Sequence, residues 1–471
     1  MAYRSINPAT GEVVAEFADH SDEEIENALA EADAIYRSDW SRGPIERRLA
    51  VLSRLAELVE DRTEELAKVA VREMGKRISE ARWEVEGVAK IARHFADNAV
   101  EMLAPEKIET EQGDAWIEFH PIGVVLAIEP WNFPFYQLVR VAAPAIAAGN
   151  PVLVKPAGIV PQCAKLFEEL LLQAGAPRGV WTTVFAGKDQ ISKLLQDDRI
   201  QGVTLTGSEQ AGSIVAAEAG RNLKKSVLEL GGSDIFAVLD DADLDRAADL
   251  GAAGRLTVAG QVCTAAKRFL VHEKVADSFI DKLAHRFRAM RVGDPMDESI
   301  DLGPLSSVAA RDNLAEQVRI AVAAGARVLH GGNPYQGDGA YFEPTILTDV
   351  TRDNPAYFEE FFGPVAQIHV VRDDDALIEL ANDSPYGLGG SIFSADTSRA
   401  KALASRIEAG MVWINAMTGG GPELPFGGVK RSGYGRELAE SGIKELVNQK
   451  LVVVAPTRAR LHDDSTPARQ A

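Results

Sequence analysis

From residue 121 onward the chain alternates between two kinds of segment, and this alternation restricts the fold more than any other feature. Short apolar, β-branched runs recur as "IGVVLAIEP", "PVLVKP", "GVWTTVFAG", "IQGVTLTGS" and "KKSVLELGG". Segments with helical spacing, such as "PQCAKLFEELLLQAG" and "SEQAGSIVAAEAG", lie between most of these runs. Strands that alternate with helices form parallel sheets with helices on both faces. We therefore predict a doubly wound α/β fold.

A second series of the same kind follows the first. Its runs are "RFLVH", "ARVLHGG", "YFEPTILTDV", "PVAQIHVV", "GGSIFS" and "MVWINA". A chain of 471 residues is long enough for two or three domains. We therefore predict two parallel-sheet domains rather than one.

The flanking regions follow other patterns. Residues 22–103 have mostly helical spacing, with Ser21 as a candidate N-cap. Residues 105–120 carry short runs around a Gly-Asp turn, which predicts a β-hairpin that projects as an arm. Near the C-terminus "LVVVAP" is a candidate edge strand, and the polar residues 458–471 are predicted to be disordered.

Charge and cysteine content narrow the setting of the protein. The formal net charge is −20, which argues against nucleic acid or an anionic membrane as a partner. An acidic surface is common in enzymes, and adaptation to high salt remains an alternative. Two cysteines cannot build a disulfide framework, and we find no signal peptide or membrane span. These features predict a cytoplasmic protein.

A candidate phosphate-binding loop is "TLTGSEQAG", in which Gly207 and Gly212 lie at a strand-to-helix turn. Backbone amides at the start of a helix can hold a pyrophosphate. The spacing differs from G-x-G-x-x-G, and no P-loop lysine follows, so an ordinary turn is the alternative. The chain has no H-E-x-x-H or G-x-S-x-G motif, and we predict no metal site.

Three further stretches carry candidate catalytic residues, each with a structural alternative. In "EPWNFPFYQLVR" two prolines fix the backbone around Asn132, which can donate to an oxyanion or cap a helix. In "LELGGSD" Glu229 ends an apolar strand, where it is a general base or a carboxylate at the sheet rim. In "GQVCT" Cys263 is a nucleophile or a small filler of the core.

In order along the chain, "PWNFP", "LVKPA", "LTGS", "LELGG", "GQVC", "EEFFGPV" and "PFGGVKRSGYGRE" resemble the aldehyde dehydrogenase superfamily. The resemblance covers nearly the whole chain. Within the superfamily, "ELGGSD" and "GQVCTAAKRF" are most similar to a bacterial type of succinate-semialdehyde dehydrogenase. This resemblance implies NAD(P)-dependent oxidation of an aldehyde, above all of succinate semialdehyde to succinate. The alternatives are another aliphatic or ω-acid semialdehyde, a CoA-acylating dehydrogenase, and a catalytically silent binding or structural homologue.

The resemblance also implies roles for individual residues. Cys263 is then the nucleophile, Glu229 activates the hydrolytic water, and Asn132 with the backbone N–H of Cys263 forms the oxyanion hole. Lys155 binds the adenosine ribose, and Glu360 binds the nicotinamide ribose. The remaining positions expected to line the cofactor are Trp131, Asn132, Ala157, Gly158, Gly207, Ser208, Gly212, Leu230 and Phe362.

Two departures from the family pattern concern selectivity and redox control. Many NAD-preferring relatives carry "KPAE", in which the carboxylate binds the ribose 2′-hydroxyl, whereas this chain has "KPAG" with Gly158. Glycine does not repel a 2′-phosphate, so we expect NAD or NADP as the cofactor. Ala265 stands where some relatives have a further cysteine, which excludes a disulfide switch through that position.

The carboxylate of a semialdehyde needs a cation, and Arg140 is the best candidate. It lies eight residues after Asn132 on the following helix, and an arginine at this spacing resembles the carboxylate-binding one of succinate-semialdehyde dehydrogenases. The alternative for Arg140 is a salt bridge or a helix-surface charge. Arg255 is a weaker second candidate.

The family fold implies a domain plan. Residues 1–104 and 121–230 form the cofactor-binding domain, and residues 231–440 form the catalytic domain. Residues 105–120 and 441–457 form an arm that pairs with a neighbouring subunit, so we expect a homodimer or a homotetramer.

Overall fold

The computed structural model describes residues 3–456, and the predicted disordered tail at 458–471 lies outside the described residues. The strands are β1 (Tyr3–Ile6), β2 (Val13–Phe17), β3 (Glu106–Ile108), β4 (Asp114–Pro121), β5 (Val124–Glu129), β6 (Val152–Pro156), β7 (Trp181–Thr183), β8 (Ile200–Thr206), β9 (Lys225–Glu229), β10 (Ile235–Val238), β11 (Arg268–His272), β12 (Arg327–His330), β13 (Thr345–Thr348), β14 (Val365–Val371), β15 (Tyr386–Gly387), β16 (Gly390–Phe393), β17 (Trp413–Ile414), β18 (Val429–Lys430), β19 (Gly433–Tyr434) and β20 (Val447–Val454). The helices are α1 (Asp22–Arg37), α2 (Asp39–Arg42), α3 (Glu46–Asp61), α4 (Thr63–Met74), α5 (Ile78–Met102), α6 (Tyr136–Ala148), α7 (Pro161–Gln173), α8 (Lys188–Gln196), α9 (Glu209–Arg221), α10 (Leu244–Leu256), α11 (Ala276–Ala289), α12 (Val308–Ala323), α13 (Asp374–Asn382), α14 (Thr397–Ala404) and α15 (Ala439–Glu445).

The first large sheet has the strand order β19-β9-β8-β5-β6-β7. Its strands are parallel except β19, which pairs antiparallel to β9. The chain starts in the middle with β5, proceeds through β6 to β7, and then returns to place β8 on the other side of β5. The direction of winding therefore reverses between β5 and β8, and the carboxyl ends of strands at such a reversal form a ligand crevice.

The second large sheet has the order β12-β13-β14-β11-β10-β16-β17. It is parallel except for β12, which pairs antiparallel to β13. The strand β10 lies between β11 and β16, and all four of its residues are buried. Two parallel-sheet units with helices between the strands confirm the predicted fold class.

The helical N-terminal region forms as its spacing predicts. Ser21 caps α1, and its capping box with Glu24 satisfies backbone groups at the helix start. The long helix α5 packs against α3, α4 and α6, with its apolar side in the largest core cluster. This packing brings α5 next to the loops that follow β5 and α10.

The third sheet has the order β20-β4-β3, and all of its pairs are antiparallel. It confirms a hairpin within 105–120 and a C-terminal strand paired with it, although β20 begins four residues before the predicted "LVVVAP" run. Within residues 3–456 no helix is both long and apolar enough to cross a membrane.

Two short strands differ from the sequence-based expectation. The run that forms β10 was not predicted as a strand, although it is central to the second sheet. β19 pairs with β9 of the first sheet, although residues 231–440 were assigned to the catalytic domain. Gly433 permits this pairing because its φ is +109° and a side chain there would collide with the carbonyl of Leu228.

Candidate active site

The loops at the winding reversal of the first sheet carry most of the predicted site residues. Trp131 and Asn132 follow β5, and Lys155 lies near the end of β6. Gly207 follows β8, and Glu229 ends β9. Since these strands are parallel neighbours, their ends meet at one edge of the sheet, and the structure places these residues in one crevice.

Asn132 connects this crevice to the loop of the candidate nucleophile. The residue is 4% exposed, and its side-chain amide donates a 3.0 Å hydrogen bond to the carbonyl of Gln261. Gln261 is fully buried, and its own side-chain oxygen accepts from the backbone N–H of Ser306 at 2.8 Å. Asn132 therefore contacts the chain at Gln261, two residues before Cys263. The second N–H of its side-chain amide remains free to bind a ligand.

The loop before Cys263 has an unusual backbone. Val258 and Ala259 both have φ of +51°, a left-handed conformation that side chains with Cβ atoms rarely adopt. Arg255 supports this turn by donating to the carbonyls of Gly260 and Ala266. Arg255 is 0% exposed and already donates to these two carbonyls, and its role as a second substrate cation stays a prediction.

Helix α5 holds both catalytic loops through two buried glutamates one helical turn apart. The Oε1 atom of Glu80 accepts from the N–H of Val258 at 2.9 Å. The Oε1 atom of Glu84 accepts from the N–H groups of Phe135 and Tyr136 at 2.8 and 3.1 Å. Residues four apart share one helix face, so a single rigid element sets the spacing between the two loops.

The candidate nucleophile differs from the second cysteine in its exposure. Cys163 is fully buried in the main core, whereas Cys263 is only partly buried. Burial raises the pKa of the Cys263 thiol to about 12, while the cations Lys267 and Arg140 act to lower it. The thiol is thus neutral at pH 7 in the cofactor-free protein.

Glu229 is 2% exposed and belongs to a buried group of charges. Burial and then Glu437 raise the pKa of its carboxyl to about 8, against the opposing effect of Arg140. A side chain at Gly427 would approach Oε1 of Glu229 to 2.7 Å, so glycine leaves room for the carboxyl. A group with this pKa can take a proton from water near neutral pH.

Arg140 occupies the salt-bridge environment that we considered as its alternative. Its guanidinium forms an ion pair with Glu437, and the residue is 3% exposed. It also lies 4.2 Å from the centre of the Phe426 ring and donates to the side chain of Gln137 at 3.1 Å. A substrate carboxylate would have to compete with Glu437 for this cation, and the substrate-binding role of Arg140 stays a prediction.

Sequence reasoning missed two members of this charge group, Glu437 and Glu129. Glu129 ends β5, is 3% exposed, and has a pKa raised well above its usual range by burial and then by Glu437. Thr206, which pairs with Glu229 in the sheet, donates to Glu437 at 3.5 Å. The available signal was Glu129 itself, a carboxylate at the end of an apolar strand as in "LELGG".

The adenosine side of the crevice is open where the sequence predicted it. A side chain at Gly158 would meet no atom within 4 Å, and Ala157 beside it packs against the core. Burial lowers the pKa of Lys155, whose ammonium donates to the carbonyl of Pro156 at 2.9 Å. The surface between Lys155 and Gly158 can therefore accommodate a ribose and its substituents.

Opposite this surface, helix α9 points its N-terminus at the crevice. Ser208 caps the helix by accepting from the N–H of Ala211 at 3.2 Å. A side chain at Gly212 would approach Leu230 to 2.5 Å, so glycine allows the helix to pack directly on the loop after β9. A helix start at strand ends is suited to a pyrophosphate.

Glu360 and Phe362 close the other end of the crevice. The rings of Phe362 and Trp131 meet edge to face at 5.7 Å. The Oε1 atom of Glu360 accepts from the N–H of Gly232 at 3.1 Å, and a side chain at Gly231 would collide with this carboxylate. The structure thus brings Glu360 next to the glycines that follow Glu229.

A doubly wound sheet with a dinucleotide-type crevice beside a cysteine loop defines a nicotinamide-dependent oxidoreductase. The chain belongs to the aldehyde dehydrogenase family, which it matches over residues 1–452. It is 47% identical to a succinate-semialdehyde dehydrogenase [NADP(+)] of Deinococcus radiodurans, over 97% of this chain and 96% of that protein. It is 44% identical to an Escherichia coli succinate semialdehyde dehydrogenase [NAD(P)+], over 95% of this chain and 97% of that protein.

A solved structure agrees with this placement. The succinic semialdehyde dehydrogenase of Streptococcus pyogenes, determined in complex with NADP+, superposes with a TM-score of 0.95 at 44% identity. The match covers 97% of this chain and 100% of that one. The predicted family is therefore confirmed, and family membership fits the oxidation of an aldehyde.

Proposed function

We propose that the protein oxidises succinate semialdehyde to succinate with NADP or NAD and uses Cys263 as its nucleophile. The observation that carries this proposal is the meeting of three groups at one crevice: Cys263, Asn132, which is hydrogen-bonded to the loop of Cys263, and Glu229, which is in electrostatic contact with the thiol. The names of the relatives support the substrate. Glu229 supports hydrolysis over transfer to CoA, because it can activate water.

The crevice fits a nicotinamide dinucleotide on structural grounds. The space around Gly158 is open, since a side chain there would meet no atom within 4 Å, and α9 starts directly after the carboxyl end of β8. Lys155 would hold the adenosine ribose, Ser208 and its helix the pyrophosphate, and Glu360 the nicotinamide ribose. When bound, the nicotinamide would supply the hydride acceptor for the reaction.

The first step forms a bond between the Cys263 sulfur and the aldehyde carbon. The thiol proton passes to water, and the carbonyl oxygen takes up the electron pair of the broken π bond. The amide of Asn132 and the backbone N–H of Cys263 donate to that oxygen and stabilise its charge. Loss of hydride from the carbon then restores the carbonyl and leaves a thioester on Cys263.

The second step hydrolyses the thioester. Glu229 accepts a proton from water as the water oxygen attacks the thioester carbon. The C–S bond breaks, its electron pair returns to sulfur, and the carboxylate product leaves. The pKa of Glu229 depends on two neighbouring charges, because Glu437 raises it and Arg140 lowers it.

Gly158 supports the use of NADP. A carboxylate at this position would face a 2′-phosphate and repel it, whereas glycine leaves open space. Position 158 follows Lys155 by three residues, and a cation next to that space favours a phosphate.

The test of the substrate uses two aldehydes of equal carbon number, succinate semialdehyde and butanal. In wild type kcat/KM should be higher for the semialdehyde, and Cys263→Ala should abolish oxidation of both. Arg140→Leu should lower kcat/KM for the semialdehyde by about 30-fold or more beyond the loss it causes for butanal, because Arg140 also acts on Cys263 and Glu229, which both substrates need. A wild-type preference for butanal would leave only the family assignment, and equal losses in Arg140→Leu would make Arg140 structural.

We also propose the predicted domain plan and a subunit arm. The sheet of β3, β4 and β20 supports the arm, because β20 is an edge strand whose Leu451, Val453 and Val454 are 59%, 43% and 55% exposed. An apolar edge of this kind invites pairing with a second copy. Light scattering of the full chain and of a variant shortened before Val447 tests the subunit arm. The finding that both proteins are monomeric would refute it.

A further inference from the structure

Lys267 is a buried cation with partners on both sides. It is 0% exposed, and its Nζ lies 2.8 Å from Oε1 of Glu360. The same ammonium donates to the carbonyls of Val262 at 3.1 Å and Cys263 at 2.6 Å. One charge thus connects the carboxylate expected on the cofactor side with the loop that carries the thiol.

The backbone of Lys267 is fixed at the start of β11. Its N–H donates to the carbonyl of Asp234 at 3.0 Å, and its carbonyl accepts from the N–H of Gln367 at 2.9 Å. A buried ammonium is costly unless it is paired and hydrogen-bonded, and here all three of its donors have an acceptor. The position of the charge is therefore set by the sheet and by its partners.

Lys267 is also the cation with the largest effect on the thiol. It lowers the pKa of Cys263 more than Arg140 does, whereas Glu229 and Asp234 raise it. Asp234 faces Lys267 as well as the thiol.

Glu360 does not act on the thiol in the same direct way. Its carboxylate contacts Lys267 and the N–H of Gly232, and Arg255 is a further cation within electrostatic range. A change in the charge or hydrogen bonding of Glu360 therefore reaches Cys263 mainly through Lys267.

We propose that Lys267 is a positioning residue that couples Glu360 to the loop of Cys263 and keeps this thiol reactive. The proposal rests on the function proposed above for Cys263 and Glu360. A ligand that hydrogen-bonds to Glu360 takes up part of its negative charge. The ammonium is then less neutralised, and the thiolate beside it is more stable.

The test measures the thiol itself and not turnover. Cofactor-free protein is treated with iodoacetamide at pH 8, and alkylation of Cys263 is followed by mass spectrometry. Cys163, the other cysteine of the chain, is fully buried. Lys267→Met should slow alkylation of Cys263 about tenfold or more, since an opposite charge nearby lowers a thiol pKa by about one to three units. Lys267→Arg should restore most of the rate.

The matched control is Lys274→Met. Lys274 lies seven residues after Lys267, is exposed, and forms an ion pair with Asp240. It should leave the alkylation rate unchanged. If Lys267→Met alkylates as fast as wild type, the proposal is wrong. The same conclusion follows if the control slows alkylation equally, because net charge alone then explains the loss.

Glu360→Gln provides a second test that does not depend on the folding of Lys267→Met. Removing the carboxylate charge should speed alkylation of Cys263 about threefold or more, because the ammonium loses its counter-charge. In a Lys267→Met background the same change should have little effect. An unchanged rate in Glu360→Gln overturns the coupling. Activity that survives in Cys263→Ala would instead refute the proposed function, whatever the alkylation rates.

Discussion

Replacing Glu437 with glutamine isolates the charge that acts most strongly on the candidate general base. The amide keeps one oxygen, which can accept from either Arg140 or Thr206 but not occupy both contacts, and removes the negative charge. In wild type, burial and then Glu437 raise the pKa of Glu229 to about 8, and Arg140 lowers it. The substitution removes a contribution that raises this pKa and leaves Arg140 unneutralised. Both effects lower the pKa of Glu229.

The size of the shift follows from Coulomb's law. Two unit charges about 6 Å apart at an effective dielectric constant of about 20 interact by about 3 kcal/mol. One pKa unit corresponds to about 1.4 kcal/mol. We therefore expect the pKa of Glu229 to fall by about one to two units in Glu437→Gln.

The assay separates thioester formation from thioester hydrolysis. Stopped-flow absorbance gives the burst of reduced cofactor, and the steady-state rate that follows gives hydrolysis. In wild type, hydrolysis should rise about tenfold per pH unit and level off near pH 8, because the base must be deprotonated. In Glu437→Gln the bend should lie about one to two pH units lower, and the plateau should fall because the base is weaker.

The matched control is Glu423→Gln, an exposed carboxylate within electrostatic range of Tyr136. It should leave the bend in place. The melting temperature of each variant shows whether the fold persists, since an unpaired buried charge can cost about 3–5 kcal/mol. A folded Glu437→Gln enzyme whose bend stays at the wild-type pH would refute the electrostatic coupling.

Three other substitutions test the remaining roles. Glu229→Gln should give one equivalent of reduced cofactor per subunit in a burst and then a slow steady state, and a missing burst would place Glu229 in the first step. Asn132→Ala should lower kcat by about 10²–10³, and steady-state kinetics showing a loss under about tenfold would remove it from the oxyanion hole. Gly158→Glu should raise KM for NADP far more than for NAD, and equal changes would mean that position 158 does not face the ribose.

The sequence predicted the strands that carry the site because each is a short apolar run between helical segments. It did not predict β10, because this four-residue strand begins at Ile235, only three residues after the glycine pair at 231–232. No helix separates β9 from β10, so the alternating pattern gave no signal there. A strand buried on both faces shows no alternation of apolar and polar residues either.

The candidate catalytic residues could be predicted from local motifs, but their electrostatic partners could not. Glu129, Arg140 and Glu437 lie in three separate segments, and only the fold brings them together. "SGYGRE" marks Glu437 as part of a family motif without showing that its carboxylate faces a buried arginine. The same holds for Lys267, whose acceptors are backbone carbonyls that no residue type reveals.

These partners explain how a site with a nucleophile and a base can remain neutral until it is used. Burial raises the pKa of Cys263 to about 12 and that of Glu229 to about 8, so both groups are mainly protonated at pH 7. A neutral thiol is a poor target for oxidation, because the thiolate is the reactive form. A buried cation acts on each group, Lys267 on Cys263 and Arg140 on Glu229. Each cation forms an ion pair with a carboxylate, Lys267 with Glu360 and Arg140 with Glu437. A ligand that hydrogen-bonds to either carboxylate leaves its cation less neutralised, which favours the charged form of the catalytic group beside it.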